Sequence, residues 1–315
     1  MSFDKFQSYL TNLLSHPSNT QTDYFEEALQ SPNKPSTYFW ISTDSEQWWN
    51  LNSNHSFEER KNKLRDDIME EDFNFTLEYY LKNPIKYKLN EYNLRSDKFS
   101  TSEGGNVFLG CSDTFGIGQH FEHTWPYILT KLKFPNNKIY NMAVPGSGSD
   151  TAFRLLSILK NKCKIKNIFH WLPFRNRFEI YMGNDSKSTK IGNIKMGDIY
   201  KPAGFSTILP QVEIDNNIFP KEYIKYGLST ETSRNINDLK NILAIKQIAD
   251  DLNINYYISN NELGYHSPSI RKQVMKYYEK NIPSNLHARD FKHMKPEETS
   301  SVVSKFIELL ENKLL

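Results

Sequence analysis

The chain has 315 residues, which is enough for one large domain or for one domain with an appendage. Its net charge is +2, with Lys and Arg scattered among Asp and Glu, so we expect no nucleic-acid partner, which would require a concentrated basic face. The two cysteines, Cys111 and Cys163, are too few for a disulfide scaffold or a metal centre, which favours a reducing compartment.

The sequence also carries no signal for a membrane. No apolar run approaches the roughly 20 residues that a spanning helix needs. The amino terminus has Asp4 where a signal peptide would be basic, and no uninterrupted apolar stretch follows it. We therefore predict a soluble protein with no membrane span, cytoplasmic by default.

Residues 1–84 are predicted to form a mainly helical extension. Apolar residues at helical spacing predict a helix within the first 14 residues, and a second one at 24–29. Ser56 and Glu59 have the spacing of a capping box, which predicts a helix over 60–71. We interpret Trp48 and Trp49 as packing anchors rather than as a sugar-stacking platform.

Residues 85–315 show alternating strands and helices, with an irregular insertion around 181–228 that is expected to cover a site. The predicted strands are 107–109, 138–141, 166–172 and 255–259. The predicted helices are 124–132, 150–160, 229–252 and one after Pro296. Strands that are separated by helices indicate a parallel sheet with right-handed crossovers, and hence an α/β sandwich.

A turn of small residues follows the first of these strands, in Gly110-Cys111-Ser112-Asp113-Thr114-Phe115-Gly116-Ile117-Gly118. Its serine lies at the carboxyl edge of the predicted sheet, where open α/β folds bind their ligands. A phosphate-binding loop would need Gly-Lys-Ser/Thr at its end, which is missing here. We therefore predict that Ser112 is a nucleophile, whereas Cys111 is a small buried residue.

A nucleophilic serine needs a base, and an acid that orients the base. Asp290 stands three residues before His293, so its carboxylate can hold one nitrogen of the ring while the other faces outward. His287 is nearby but lacks an aspartate at this spacing. His120 and His123 lack a third metal ligand in their neighbourhood, so we predict no metal and no cofactor.

With these motifs, the chain resembles the SGNH (GDSL-type) hydrolases over roughly residues 85–315. The Gly-Cys-Ser block is similar to that of bacterial and phage-type members and places Ser112 at the nucleophile position. Residues 141–146 resemble the second block, and Asp290 and His293 match the last one. The resemblance implies a flavodoxin-like, three-layer α/β/α fold with a Ser112-His293-Asp290 triad, and an oxyanion hole that includes the backbone N–H groups of Ser112 and Gly146.

The chain departs from this family in two places. Cys111 replaces the aspartate that precedes the family's serine, and the third block, Gly-x-Asn-Asp, is absent after the strand 166–172. The family's asparagine donates a side-chain N–H to the oxyanion, and by position Arg175 or Asn176 is expected to replace it. If Arg175 or Arg177 points into the pocket, the substrate is expected to carry a carboxylate.

The resemblance implies a serine esterase or deacetylase that hydrolyses a small acyl ester, on a small molecule or a glycan. Two alternatives stay open. One is an acyltransferase that acts on a glycan. The other is a binding or structural protein with weak catalysis, for example associated with a phage or virion, for which the altered third block is the best argument.

Overall fold

The computed structural model describes residues 35–41, 44–92, 94–173, 177–181, 205–208, 231–260 and 268–312. The helices predicted within residues 1–34 lie outside the described residues. The same is true of Arg175, Asn176 and most of the insertion 181–228.

The described part of the segment before residue 84 contains one strand and three helices: β1 (Ser36–Tyr38), α1 (Glu46–Ser53), α2 (Phe57–Arg60) and α3 (Glu70–Lys82). The capping box is confirmed, since Ser56 Oγ accepts from the Glu59 N–H and the Glu59 carboxylate accepts from the Ser56 N–H at 2.7 Å. The helix predicted over 60–71 is wrong. The backbone continues only as a 3₁₀ turn over 61–63 and becomes extended at Leu64. Leu64 and Ile68 pack instead, outside any helix, in the apolar cluster that contains Phe73.

The remaining elements, in chain order, are β2 (Tyr87–Leu89), β3 (Gly104–Leu109), α4 (Ser112–Phe115), α5 (Trp125–Lys133), β4 (Lys138–Asn141), α6 (Ser149–Leu159), β5 (Lys164–Trp171), β6 (Phe178–Tyr181), β7 (Phe205–Ile208), α7 (Glu231–Asp251), β8 (Asn255–Ser259), α8 (Pro268–Asn281) and α9 (Pro296–Asn312). The four strands and the four helices predicted within residues 85–315 are all present. The helices α1, α3, α4 and α8 are additional to those predicted from the sequence.

The central sheet has four parallel strands in the order β4-β3-β5-β8. Val107 of β3 is in register with Tyr140 of β4 on one side and with Ile168 of β5 on the other. Because all four strands run the same way, their carboxyl ends meet at one edge of the sheet. Two antiparallel pairs, β1-β2 and β6-β7, are separate from this sheet.

Helices cover both faces of the central sheet. Phe108 of β3 belongs to an apolar cluster with Trp125 of α5 and Phe306 of α9. Its neighbours on β3 point the other way, into a second cluster that includes Leu156 of α6 and Ile245 of α7. The expected α/β class, with a parallel sheet between two layers of helices, is confirmed.

The longest helix in the described part of the chain, α7, is anchored by its carboxyl-terminal half. Ile245, Ile248 and Ala249 are buried against the sheet. Ile236, Leu239 and Leu243, which share the helical spacing that predicts α7, are instead 62%, 55% and 59% exposed. Within the described ranges, no helix combines the length and apolarity needed to cross a bilayer.

Candidate active site

The serine turn, residues 110–119, begins directly after β3 at the carboxyl edge of the sheet. Gly110 has φ +154°, and a Cβ there would meet Thr114 and, at 2.9 Å, the carbonyl of Trp171, so only glycine fits. Ser112 is the first residue of α4, whose first-turn N–H groups have no partner within the helix. The turn therefore presents a hydroxyl beside backbone donors.

The acid–base segment, residues 287–294, precedes α9 and contains the predicted aspartate and histidine. His293 Nδ1 lies 2.6 Å from Asp290 Oδ2. The backbone N–H groups of Lys292 and His293 donate to Asp290 Oδ1 at 3.1 and 3.2 Å. Three nitrogen atoms thus hold the Asp290 carboxylate in one orientation, and its side chain has no exposed surface.

The two charges in this pair shift each other's pKa. Burial alone would raise the pKa of Asp290, but the hydrogen bond and charge of His293, with the two backbone donors, bring it below its usual value. Burial alone would lower the pKa of His293, but the hydrogen bond and charge of Asp290, with smaller contributions from Asp113 and Asp44, raise it above its ordinary value. The pair is therefore arranged to stabilise an imidazolium.

Phe291, between the aspartate and the histidine, has a left-handed backbone with φ +56°. A bulky residue adopts this conformation only when its surroundings enforce it. Its ring is buried in an apolar cluster with Phe57, Ile68 and Phe73, and the rings of Phe73 and Phe291 have centroids 5.0 Å apart. Residues before position 84 thus hold the turn that carries the aspartate and histidine.

Backbone contacts join the serine turn to the acid–base segment. Arg289 N–H donates to the Gly118 carbonyl at 2.7 Å. The Tyr80 hydroxyl bridges the same carbonyl, at 3.0 Å, and that of His287, at 3.2 Å. The side-chain amide of Gln119 donates to the Met294 carbonyl. The structure therefore brings the predicted nucleophile turn and the predicted acid–base pair together, although they are about 170 residues apart in sequence.

The hydroxyl of Ser112 is hydrogen-bonded to Cys111 Sγ at 3.8 Å and, within the described residues, is not hydrogen-bonded to the His293 ring. The two sides of the site are nevertheless close. The charges of Asp113 and His293 act on each other, and Asp113 follows the serine directly. The Cys111 thiol is buried, which raises its pKa and so disfavours the thiolate, the reactive form of a cysteine.

The loop after β4 lies against the start of the serine turn. Val144 N–H donates to the Gly110 carbonyl at 3.4 Å, and Ser147 Oγ donates to the same carbonyl at 3.2 Å. Gly146, between them, has φ +77°, and among the described residues other than its chain neighbours a Cβ there would meet nothing within 4 Å. The glycine that the family resemblance places in the oxyanion hole thus stands at an open face of the loop.

Arg177 is the first described residue after Arg175 and Asn176, which lie outside the described residues. Its Nη1 donates to the Ser147 carbonyl at 3.4 Å. A Cβ on Gly148 would meet the Arg177 carbonyl at 2.6 Å, so glycine is needed for this close approach. The charge of Arg177 lowers the pKa of both Cys111 and Asp113, although burial raises each of them overall.

Two further residues at the site are absent from the sequence-based set. One is Asp113. Burial raises its pKa, although the charges of His293 and Arg177 act to lower it. Trp48 donates its indole N–H to the Asp290 carbonyl at 3.0 Å, and the Lys292 ammonium lies 4.0 Å from its ring centroid. Trp48, which is expected to be a packing anchor, therefore contacts the acid–base segment. No local pattern in the sequence signals either contact.

Four other histidines make their side-chain contacts away from this pair. The His170 ring bonds the Tyr256 hydroxyl at 2.8 Å, and burial lowers the pKa of His170 to about 3. His287 Nε2 lies 3.6 Å from Asp72 Oδ2. His120 and His123 have ring centroids 5.2 Å apart. Across the described part of the chain, no three His, Cys, Asp or Glu side chains are grouped so as to hold a metal ion.

No model of a known protein family matches the chain, and no curated protein sequence matches it. Among solved structures, the chain is similar to a carbohydrate acetylesterase family member from Sinorhizobium meliloti, with 12% identity and a TM-score of 0.27. The match covers 66% of this chain and 98% of the other. At this identity and TM-score, the function has to be inferred from the residues of the chain itself.

Proposed function

We propose that the chain is a serine esterase or deacetylase that hydrolyses small acyl esters, with a carbohydrate as the alcohol component. The observation that carries this proposal is the 2.6 Å contact between His293 Nδ1 and Asp290 Oδ2 in a segment bound to the turn of Ser112. An oriented histidine, in a segment bonded to the turn that carries a serine at the carboxyl edge of a parallel sheet, fits the needs of acyl transfer to a hydroxyl. The SGNH resemblance supports the same roles.

In the first half of the reaction, Ser112 Oγ attacks the acyl carbonyl carbon while His293 Nε2 takes the hydroxyl proton. The carbonyl oxygen becomes an oxyanion, for which the backbone N–H groups of Ser112 and Gly146 are the proposed donors. The carbon–oxygen bond to the alcohol then breaks, and the imidazolium gives its proton to the leaving oxygen. The product is an acyl-serine and a free alcohol.

In the second half, His293 takes a proton from water, whose oxygen attacks the acyl carbon. The bond to Ser112 Oγ breaks, the serine recovers its proton from the imidazolium, and a carboxylic acid leaves. Asp290 stays ionised throughout, since its pKa lies below the usual value, and it stabilises each imidazolium that forms. The Ser112–His293 hydrogen bond is expected to form in the substrate complex, as such bonds commonly tighten there.

The test is hydrolysis of p-nitrophenyl acetate and of an O-acetylated monosaccharide. We expect the wild type to release acetate from both, and Ser112→Ala and His293→Ala each to lower kcat by about a thousandfold or more. The exposed residues Ser102 and His55 supply matched controls, Ser102→Ala and His55→Ala, which should keep wild-type turnover. Equal turnover in Ser112→Ala, or no product from the wild type, would contradict the proposal.

A further inference from the structure

A buried ion pair joins the segment before residue 84 to the acid–base segment. Arg289 donates from Nε to Asp44 Oδ1 at 2.8 Å and from Nη2 to Asp44 Oδ2 at 2.6 Å. The same Nη2 donates to the Phe39 carbonyl at 2.5 Å, and the guanidinium lies 3.9 Å from the ring centroid of Trp40. Both charged side chains are only 2% exposed, so the pair is closed off from solvent.

Asp44 also reaches the serine turn, through Tyr87. The Tyr87 hydroxyl donates to Asp44 Oδ2 and accepts from the Gly118 N–H at 2.9 Å. The Gly118 carbonyl in turn accepts a hydrogen bond from the Arg289 backbone N–H. One carboxylate therefore holds both halves of the candidate site, the serine turn by way of Tyr87 and the acid–base segment by way of Arg289.

Stability alone does not account well for this arrangement. Taking two charges out of water costs free energy that their attraction often only repays, so a buried ion pair usually adds little net stability. What the pair does fix is geometry, because the planar guanidinium accepts few orientations against a carboxylate. Asp290 directly follows Arg289, and its carbonyl accepts a hydrogen bond from Trp48, which belongs to the same part of the chain as Asp44.

We propose that Asp44 is a positioning residue for the reaction, which sets the distance between Ser112 and His293 through its bonds to Tyr87 and Arg289. This inference rests on the proposed function. It assigns a part in the activity to the segment before residue 84. That segment lies outside the SGNH resemblance. Because a displacement of about 1 Å between reacting groups can cost about a hundredfold in rate, loss of this anchor should act on turnover rather than on binding.

The experiment measures kcat, KM and the rate of labelling by a fluorophosphonate in the wild type, Asp44→Asn and Leu159→Ala. The asparagine keeps the shape of the side chain and removes its charge. Leu159 is buried at the end of α6, in the cluster on the other face of the sheet, so its truncation destabilises the protein without touching the anchor. All rates are taken at a temperature where circular dichroism shows each variant to be folded.

We expect Asp44→Asn to lower kcat and the labelling rate together, by about 10- to 100-fold, with KM within about twofold of the wild type, and Leu159→Ala to change neither rate. If the wild type is labelled and Asp44→Asn is labelled at the same rate, the inference is overturned and the proposed function stands. A wild type that does not label would overturn the proposed function, and the inference with it.

A second variant keeps the test decisive if Asp44→Asn does not fold. Tyr87→Phe removes only the hydroxyl that joins Asp44 to Gly118 and retains the buried ring. We expect kcat and the labelling rate to fall by the same factor as each other, a smaller factor than in Asp44→Asn, with KM unchanged. Wild-type kcat in folded Tyr87→Phe would contradict the role of Asp44 as an anchor of the serine turn.

Discussion

The backbone N–H of Arg289 donates to the carbonyl of Gly118 at 2.7 Å, and this bond connects the turn that carries Ser112 with the segment that carries His293. Gly118 has φ +70°, and a Cβ there would lie 2.9 Å from Arg289 N and 3.0 Å from Ala288 Cβ. The approach of the two segments therefore depends on the absence of a side chain at position 118.

Gly118→Ala tests this dependence. The added methyl group strains the left-handed backbone and pushes against the backbone of the acid–base segment, so we expect a loss of about 1–3 kcal/mol in the free energy of unfolding. Turnover of p-nitrophenyl acetate should fall more than tenfold in the folded variant. Gly104→Ala is the control, because the three atoms nearest to its Cβ would all belong to the flexible side chain of Lys166. Equal effects of the two substitutions on turnover would contradict the account.

The pH dependence of kcat/KM should report the His293 pKa. The neutral imidazole is the active base, so activity is lost as pH falls through the His293 pKa, which Asp290 holds above the ordinary value. In Asp290→Asn the carboxylate charge is gone, so the acid limb should move to lower pH while kcat falls by about 10³- to 10⁴-fold. A pH–rate profile settles the direction, and an acid limb that stays in place would show that another group controls it.

Asp113 supplies a finer test of the same charges. Its carboxylate is one of three, with Asp290 and Asp44, that favour the charged form of His293. In Asp113→Asn we expect the acid limb of kcat/KM to shift to lower pH by a smaller amount than in Asp290→Asn. The limiting kcat should stay within about threefold of the wild type, since Asp113 does not orient the ring. A loss of kcat as large as that of Asp290→Asn would assign Asp113 a different role.

Gly146→Ala tests the loop after β4. Apart from the two chain neighbours, no atom of the described residues lies within 4 Å of the position of the new Cβ, so we expect the substitution to act through the left-handed backbone. We expect it to cost about 1–2 kcal/mol in unfolding free energy. If the Gly146 N–H stabilises the oxyanion, kcat should fall by about 10- to 100-fold, with KM unchanged. Unfolding in urea and steady-state kinetics measure the two effects, and unchanged kcat would exclude this N–H as a donor.

Much of the fold could be predicted because its signals are local. Buried strands such as 107–109 are short apolar runs, and α5 and α9 have apolar residues at helical spacing. The helix α8 carries a comparable signal, since Ile270, Val274 and Tyr278 recur every four residues and are buried. The helix α3 buries only three of its 13 residues, which explains why its pattern is weak.

At the candidate site, too, local contacts could be predicted and long-range contacts could not. The hydrogen bond between Asp290 and His293 could be predicted because they are three positions apart, and the structure contains it. The bonds from Trp48 to Asp290 and from Arg289 to Asp44 join residues 242 and 245 positions apart. A lone aspartate in a loop gives no sign of such a partner, because long-range pairing follows from the packed fold and not from local sequence.

The most direct test of the proposed triad is the site of reaction with a fluorophosphonate, which labels only a serine activated by a base. We expect mass spectrometry of the digested wild type to find one phosphonylated residue, Ser112, and labelling to be lost in Ser112→Ala and strongly slowed in His293→Ala. Labelling at another serine, or a wild type that remains unmodified under conditions that label a known serine esterase, would contradict the assignment of Ser112 as the nucleophile.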